Sequence, residues 1–142
     1  MLLSKEIAVE LNLAACKLKQ YTSSKLKQSH VDLTPEQFLV IDMLWNQGPM
    51  SQQKMADTIH KDKNSVTKLV DALEKKGLIT RRQDRNDRRS NTLFPTEKSL
   101  QIKDATKEAG ISMLDGILDG ISEKELRDML RTLSRITANM EG

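Results

Sequence analysis

The chain has 142 residues, 30% of them charged and only 3% aromatic, a bias that favours helices over a β-sandwich or barrel in one domain with a real core. Its longest run of large apolar residues, Phe38-Leu39-Val40-Ile41, is far short of the ~20 residues a membrane span needs, and Met1-Leu2-Leu3 leads into Ser4-Lys5-Glu6 without a signal-peptide core. The net charge of +3 is uneven: residues 61–89 hold ten Lys/Arg and five Asp/Glu, net +5, leaving the rest near −2. Such a patch suits a polyanion met from one side, or a plain solvated face.

Residues 4–28 have helical spacing, with Ile7, Leu11, Ala14, Ala15, Leu18, Tyr21 and Leu26 on one side. Cys16 is the only cysteine, which excludes an internal disulfide framework and fits a reducing cytoplasm. Between Ala15 and Leu18 it reads as a small buried residue. After a connector at 31–33, Thr34, Pro35 and Gln37 form a capping-box start. The second helix runs to about residue 46, with Phe38, Ile41, Leu44 and Trp45 inward, and Gly48-Pro49 ends it.

Ser51 caps a short third helix to about residue 59, burying Met55, Ala56 and Ile59. His60-Lys61 make the turn. Asp62 then caps a fourth helix ending at Lys76, with Gly77 just past its end. Val66, Leu69, Val70 and Leu73 form its core stripe. Lys63, Asn64, Thr67, Lys68, Asp71 and Lys75 face outward, with Ser65 at the border. Residues 78–82 and 91–94 read as two hairpin strands, ended by Pro95, round a loop at 83–90 with Asp84, Asn86 and Asp87 as turn formers. Thr96 caps a fifth helix from 97 to about 118, with Gly110 and Gly116 as weak points. Ser122-Glu123-Lys124-Glu125 opens a sixth, with Leu126, Met129, Leu130, Leu133, Ile136 and Met140 inward.

The order is that of a mainly α winged helix–turn–helix with a two- to three-stranded wing. A polar helix face and a cationic loop on one side are what a DNA groove requires. Residues 34–96 are the expected DNA-binding region. Residues 1–33 and 97–142, whose apolar stripes exceed what that core needs, are the expected region of homodimerisation. On the fourth helix Lys63, Asn64, Ser65, Thr67 and Lys68 are candidates for base edges in the major groove. Ser51, Gln52, Gln53 and Lys54 suit phosphates at a helix start. Arg85, Arg88 and Arg89 suit a narrow minor groove, whereas Asp84 and Asp87 also permit plain intraloop salt bridges. No Gly-rich phosphate loop, metal-ligand spacing or nucleophile constellation is present, so neither an enzyme nor a cofactor is expected. A protein-interaction module would need an apolar or acidic recognition face, which this helix lacks.

The run Lys63-Asn64-Ser65-Val66-Thr67-Lys68-Leu69-Val70-Asp71-Ala72-Leu73-Glu74-Lys75-Lys76-Gly77-Leu78-Ile79, followed by Asp84-Arg85-Asn86-Asp87-Arg88-Arg89 and Leu93-Phe94-Pro95-Thr96-Glu97-Lys98, resembles the multiple-antibiotic-resistance regulator (MarR) family of bacterial winged-helix transcription factors. Pro95 and Ser99 depart from its pattern, which has an apolar residue and often a Gly there. The resemblance implies a double-stranded DNA operator as partner, the role of a repressor or, as the alternative, an activator, and Asp87 orienting Arg89 as the family's Asp-x-Arg pair. It also implies a small anionic or aromatic ligand that alters the separation of the two recognition helices. Some relatives sense peroxides through a cysteine in the first helix, which makes Cys16 a redox candidate. Against it, Tyr21 lies five residues on rather than one turn, and there is no second tyrosine.

Overall fold

The computed structural model describes residues 2–87 and 89–142, so Arg88, assigned above to the wing, lies outside the described residues. The elements run α1 (Leu3–Gln28), α2 (Pro35–Gln47), β1 (Met50–Ser51), α3 (Gln52–Ile59), α4 (Lys63–Lys75), β2 (Ile79–Gln83), β3 (Asn91–Pro95), α5 (Glu97–Ile117) and α6 (Glu123–Glu141). The antiparallel sheet has the order β1-β3-β2. The chain forms two compact units, divided within α5 between Gly110 and Ile111.

The first unit is built round α2. Its Val40, Ile41 and Leu44 join Met55 of α3, Val66, Val70 and Leu73 of α4, and Ile79 and Leu93 of the sheet in one buried cluster. Complete burial of each aliphatic side chain there is worth about 1.5–3 kcal/mol. Local chemistry sets the boundaries. Thr34 and Gln37 close a capping box on α2, Ser51 accepts the Lys54 N–H at 3.0 Å, and Gly48 leaves α2 at φ +83°. His60 makes the α3–α4 turn in the left-handed region at φ +55°. Gly77 follows α4 at φ +76°, where the Thr96 hydroxyl donates to its carbonyl at 2.5 Å. Ser99 is fully buried and accepts the Trp45 indole N–H at 3.3 Å while donating to the Thr96 carbonyl at 2.8 Å. The residue departing from the family pattern is therefore what satisfies the buried tryptophan.

Three expectations need correcting here. Asp62 occupies the N-cap of α4, but its side chain makes no capping hydrogen bond of good geometry; its main partner is the Ser65 hydroxyl, which it accepts. Gly110 is a point of close approach rather than a weak point, because a Cβ there would lie 2.6 Å from Phe38 Cζ. Cys16 is exposed, not buried. From Leu3 to Gln20 every α1 residue is exposed, and only Thr22 and Leu26 are buried.

The second unit, Ile111–Gly142, contains the end of α5, a turn through Gly120 at φ +80°, and α6. Ser122 caps α6 by accepting the Glu125 N–H at 3.2 Å. Pairs such as Glu123–Arg127 at 2.8 Å are exposed and add little stability. No α6 residue is buried within the chain. Its intended inner face stays open, with Met129 at 52%, Leu130 at 62% and Met140 at 74% exposure. Among the described residues, no helix is long and apolar enough to cross a membrane.

Candidate nucleic-acid interface

The outward face of α4 exists because its stripe is committed elsewhere: Val66, Val70 and Leu73 are fully buried, which turns Lys63, Asn64 and Lys68 to solvent. Among the described residues these three side chains form no hydrogen bond or ion pair. Their neighbours are less free. Ser65 spends its proton on Asp62, and this hydrogen bond, foremost, holds the Asp62 carboxyl below its ordinary range. Thr67 accepts Gln52 Nε2 at 2.8 Å and donates to the Lys63 carbonyl at 2.9 Å. Its methyl and one lone pair are what it retains.

At the start of α3 the four expected backbone-contacting residues divide. Ser51 is used as the cap, Gln52 ties α3 to α4 through Thr67, and Gln53 donates to Asp57 at 2.9 Å. Lys54 is exposed with its ammonium uncommitted among the described residues. Gln52 Oε1 is enclosed without a donor among the described residues.

Register aligns the wing as Ile79↔Pro95, Arg81↔Leu93 and Gln83↔Asn91, with the Arg82 guanidinium 4.5 Å from the Phe94 ring centre. The tip is shaped by two Asx turns. Asp84 accepts the Asn86 N–H at 2.9 Å, and Asp87 accepts the Arg89 N–H at 3.0 Å. Asp87 thus holds Arg89 through the main chain. Neither Asp84 nor Asp87 forms an ion pair among the described residues, so the intraloop salt-bridge alternative finds no support there. Arg85 and Arg89 are exposed.

One group that sequence reasoning missed joins the two elements. Arg81 reaches Glu74 at 2.7 Å and Asp71 at 2.5 Å, while its N–H donates to the other Glu74 oxygen at 3.2 Å. The Glu74 bond above all, then Asp71, raises the Arg81 pKa further against the opposing effect of burial. The signal was available, since period-two alternation puts Arg81 on the same strand face as buried Ile79, and Asp71 and Glu74 share a helix face.

The helix and the wing meet round one cleft of about 420 Å³. Gln52, Gln53, Lys63 and Thr67 line it from the helix–turn–helix, and Arg81, Asp87, Arg89, Ser90 and Asn91 from the wing. Among the described residues, no group of three or more His, Cys, Asp or Glu is placed to hold a metal.

Residues 33–90 match the MarR family. The HTH-type transcriptional regulator YybA of Bacillus subtilis (strain 168) is 25% identical over 136 residues, covering 96% of this chain and 89% of the relative. A solved complex of Staphylococcus aureus MepR with DNA has the same fold, with TM-score 0.83 at 24% identity over 93% of this chain and 96% of the other. So has the organohalide-sensing regulator RdhR-CbdbA1625 in its 2,4-dichlorophenol-bound form, with TM-score 0.86 at 19% identity over 98% and 82% of the two chains. The matched segment spans the helix–turn–helix and most of the wing, and the relatives align over nearly the full length, so the chain is similar to the MarR family of winged-helix transcriptional regulators.

Proposed function

We propose that the chain binds double-stranded DNA as a homodimer on a near-palindromic operator, acts as a repressor, and is released by a small aromatic or anionic ligand. The observation that carries this reading is the cleft where Lys63 of α4 and Arg89 of the wing lie on one side of the molecule. A duplex entering there meets α4 in its major groove and the wing in the adjoining minor groove. Lys63, Asn64 and Lys68, whose donors are uncommitted, read base edges. Asn64 suits adenine and the lysines suit guanine. Thr67 contributes its methyl and Ser65 supports Asp62. Lys54 and the ends of Ser51, Gln52 and Gln53 sit at phosphates, and Arg85 and Arg89, with Arg88 beside them in sequence, enter the minor groove. The DNA-bound MepR neighbour supports the mode.

Dimerisation is supported by apolar surface left open in both units. Leu3 is 71% exposed on α1, as are Ile111 at 62% on α5 and Leu130 at 62% on α6. Uncovered stripes of that kind call for a second chain, and two-fold pairing spaces the recognition helices by about 34 Å, one DNA turn. Release by a ligand follows if the ligand binds unequally to DNA-competent and incompetent spacings. The dichlorophenol-bound neighbour supports an aromatic effector. A cleft of about 400 Å³ between the α1–α2 connector and α5, rimmed by Lys76 and Lys98, is of suitable size. The exposure of Cys16 supports a narrower second reading, peroxide sensing. Operator release by peroxide in the wild type but not in Cys16→Ala is its test.

Selection of bound sequences from random duplexes tests the main reading. The expected result is a near-palindrome with half-sites about 10 base pairs apart. Recovery of unselected sequences only, at any salt concentration, refutes it and favours a protein-interaction module.

A further inference from the structure

The wing tip projects from a hairpin whose restraint is unusual in kind. On one edge β3 is paired to β1 through Met50↔Leu93 and Ser51↔Thr92. On the other edge β2 has no neighbouring strand among the described residues. Besides its pairing with β3 and the burial of Ile79, it is held by Arg81, which lies on the core-facing side of the strand where alternation calls for an apolar residue. There its guanidinium bonds Glu74 and Asp71, and Glu74 also takes its backbone N–H. A single carboxylate gripping both the side chain and the main chain of one residue restrains the strand's position and its twist together. Beyond this point the two Asx turns, the Asp84 N–H donated to the Ser90 carbonyl at 2.9 Å and the Ser90 N–H donated to the Asp87 carbonyl at 3.0 Å all stay inside the loop.

We infer that Glu74 and Asp71, acting through Arg81, are positioning residues that set the angle between the reading helix and the wing, and so make minor-groove preference depend on a helix carboxylate that touches no DNA. Glu74 lies at the C-terminal end of α4 and is half-buried, far along the helix from Lys63 and Asn64. A planar guanidinium shared by two acids resists rotation as well as translation. With it in place, Arg89 arrives at one fixed offset from the bases under α4. Without it the tip still carries its charge but samples several offsets, and the energetic advantage of a narrow groove is averaged away. This inference rests on the proposed entry of the wing into the minor groove.

Electrostatics and positioning predict different results for Glu74→Gln, which separates them. Removing an acid raises the positive charge of the DNA-facing unit, so unspecific attraction rises. Positioning instead requires loss of discrimination. The experiment measures affinities of wild type and Glu74→Gln for operator duplexes whose wing-contacted flanks are A/T-rich or G/C-rich. Arg89→Ala is placed in each background, and Asp71→Asn serves as a milder second variant because Arg81 keeps Glu74. The expected result is that Glu74→Gln lowers the A/T-over-G/C ratio about threefold or more and shrinks the effect of Arg89→Ala, a coupling typical of residues sharing a network. Asp71→Asn should do the same to a smaller degree. A Glu74→Gln protein that binds every duplex more tightly and keeps the full flank ratio overturns the inference while leaving the wing reading intact. A wild type with no flank preference overturns the wing reading, and this inference with it.

Discussion

Arg89→Ala offers the most direct measure of how this surface meets DNA. Among the described residues, the uncommitted cations on the proposed interface are Lys54, Lys63, Lys68, Arg85 and Arg89, five per protomer and so ten in a homodimer. Each cation that enters the phosphate field, in a groove or at the backbone, displaces about one phosphate's condensed counterion and contributes about −0.9 to the slope of log K against log salt, so full engagement gives a slope of about −9. A rise from 50 to 200 mM salt then costs about 10⁵ in affinity. Deleting Arg89 from both protomers should flatten the slope by about 1.8, which makes the gap between variant and wild type about twelvefold wider at 50 mM than at 200 mM. Fluorescence anisotropy with a labelled operator duplex, titrated across that salt range, reads both quantities. Parallel lines offset by a constant factor would mean that Arg89 acts on the fold of the tip and not on the polyanion. Superimposed lines would remove the wing from the interface.

Ser99→Ala strips the acceptor from the buried Trp45 N–H, costing about 1–3 kcal/mol less about 0.5 kcal/mol of regained helix propensity. A fall in Tm of several degrees, partly recovered in the double variant with Trp45→Phe, is the expected circular-dichroism result; an unchanged Tm refutes the bond's importance. Gly110→Ala should gain about 1 kcal/mol from propensity, but its Cβ would lie 2.6 Å from Phe38 Cζ, and overpacking of about 1–3 kcal/mol outweighs it. Adding Phe38→Leu should turn that loss into a gain in chemical denaturation. The Ser65 hydroxyl depresses the Asp62 carboxyl, so the stability it contributes is full above the unfolded-state value and lost as pH falls through the lower folded one. Below about pH 4, Asp62→Asn should therefore show a shallower loss of stability with acid than the wild type; identical acid limbs would exclude that linkage.

Residue pattern alone determined most of this architecture, because its signals are local. The Thr34 and Ser51 caps, the Gly48 and Gly77 stops, and the spacing of Val66, Val70 and Leu73 depend on residues within a turn or two of one another. The polar face of α4 and the Asp-rich turn of the wing are likewise consequences of short-range periodicity. What the chain's order left undecided are matters of partnership. Asp62 has two acceptable donors within reach, and geometry chose the Ser65 hydroxyl. Gln52 suits a phosphate by position, yet packing of α3 on α4 brought it to Thr67, and Gly110 is a helix breaker until Phe38 lies against it. Cys16 looks buried only if that part of α1 packs on its own chain, whereas every α1 residue from Leu3 to Gln20 is exposed. Most of all, the Arg81 clamp joins residues seven and ten positions apart across a helix end, Gly77 and a strand. Only the tertiary structure could select those two acids, because charge attraction names no partner until the backbone has set the distances.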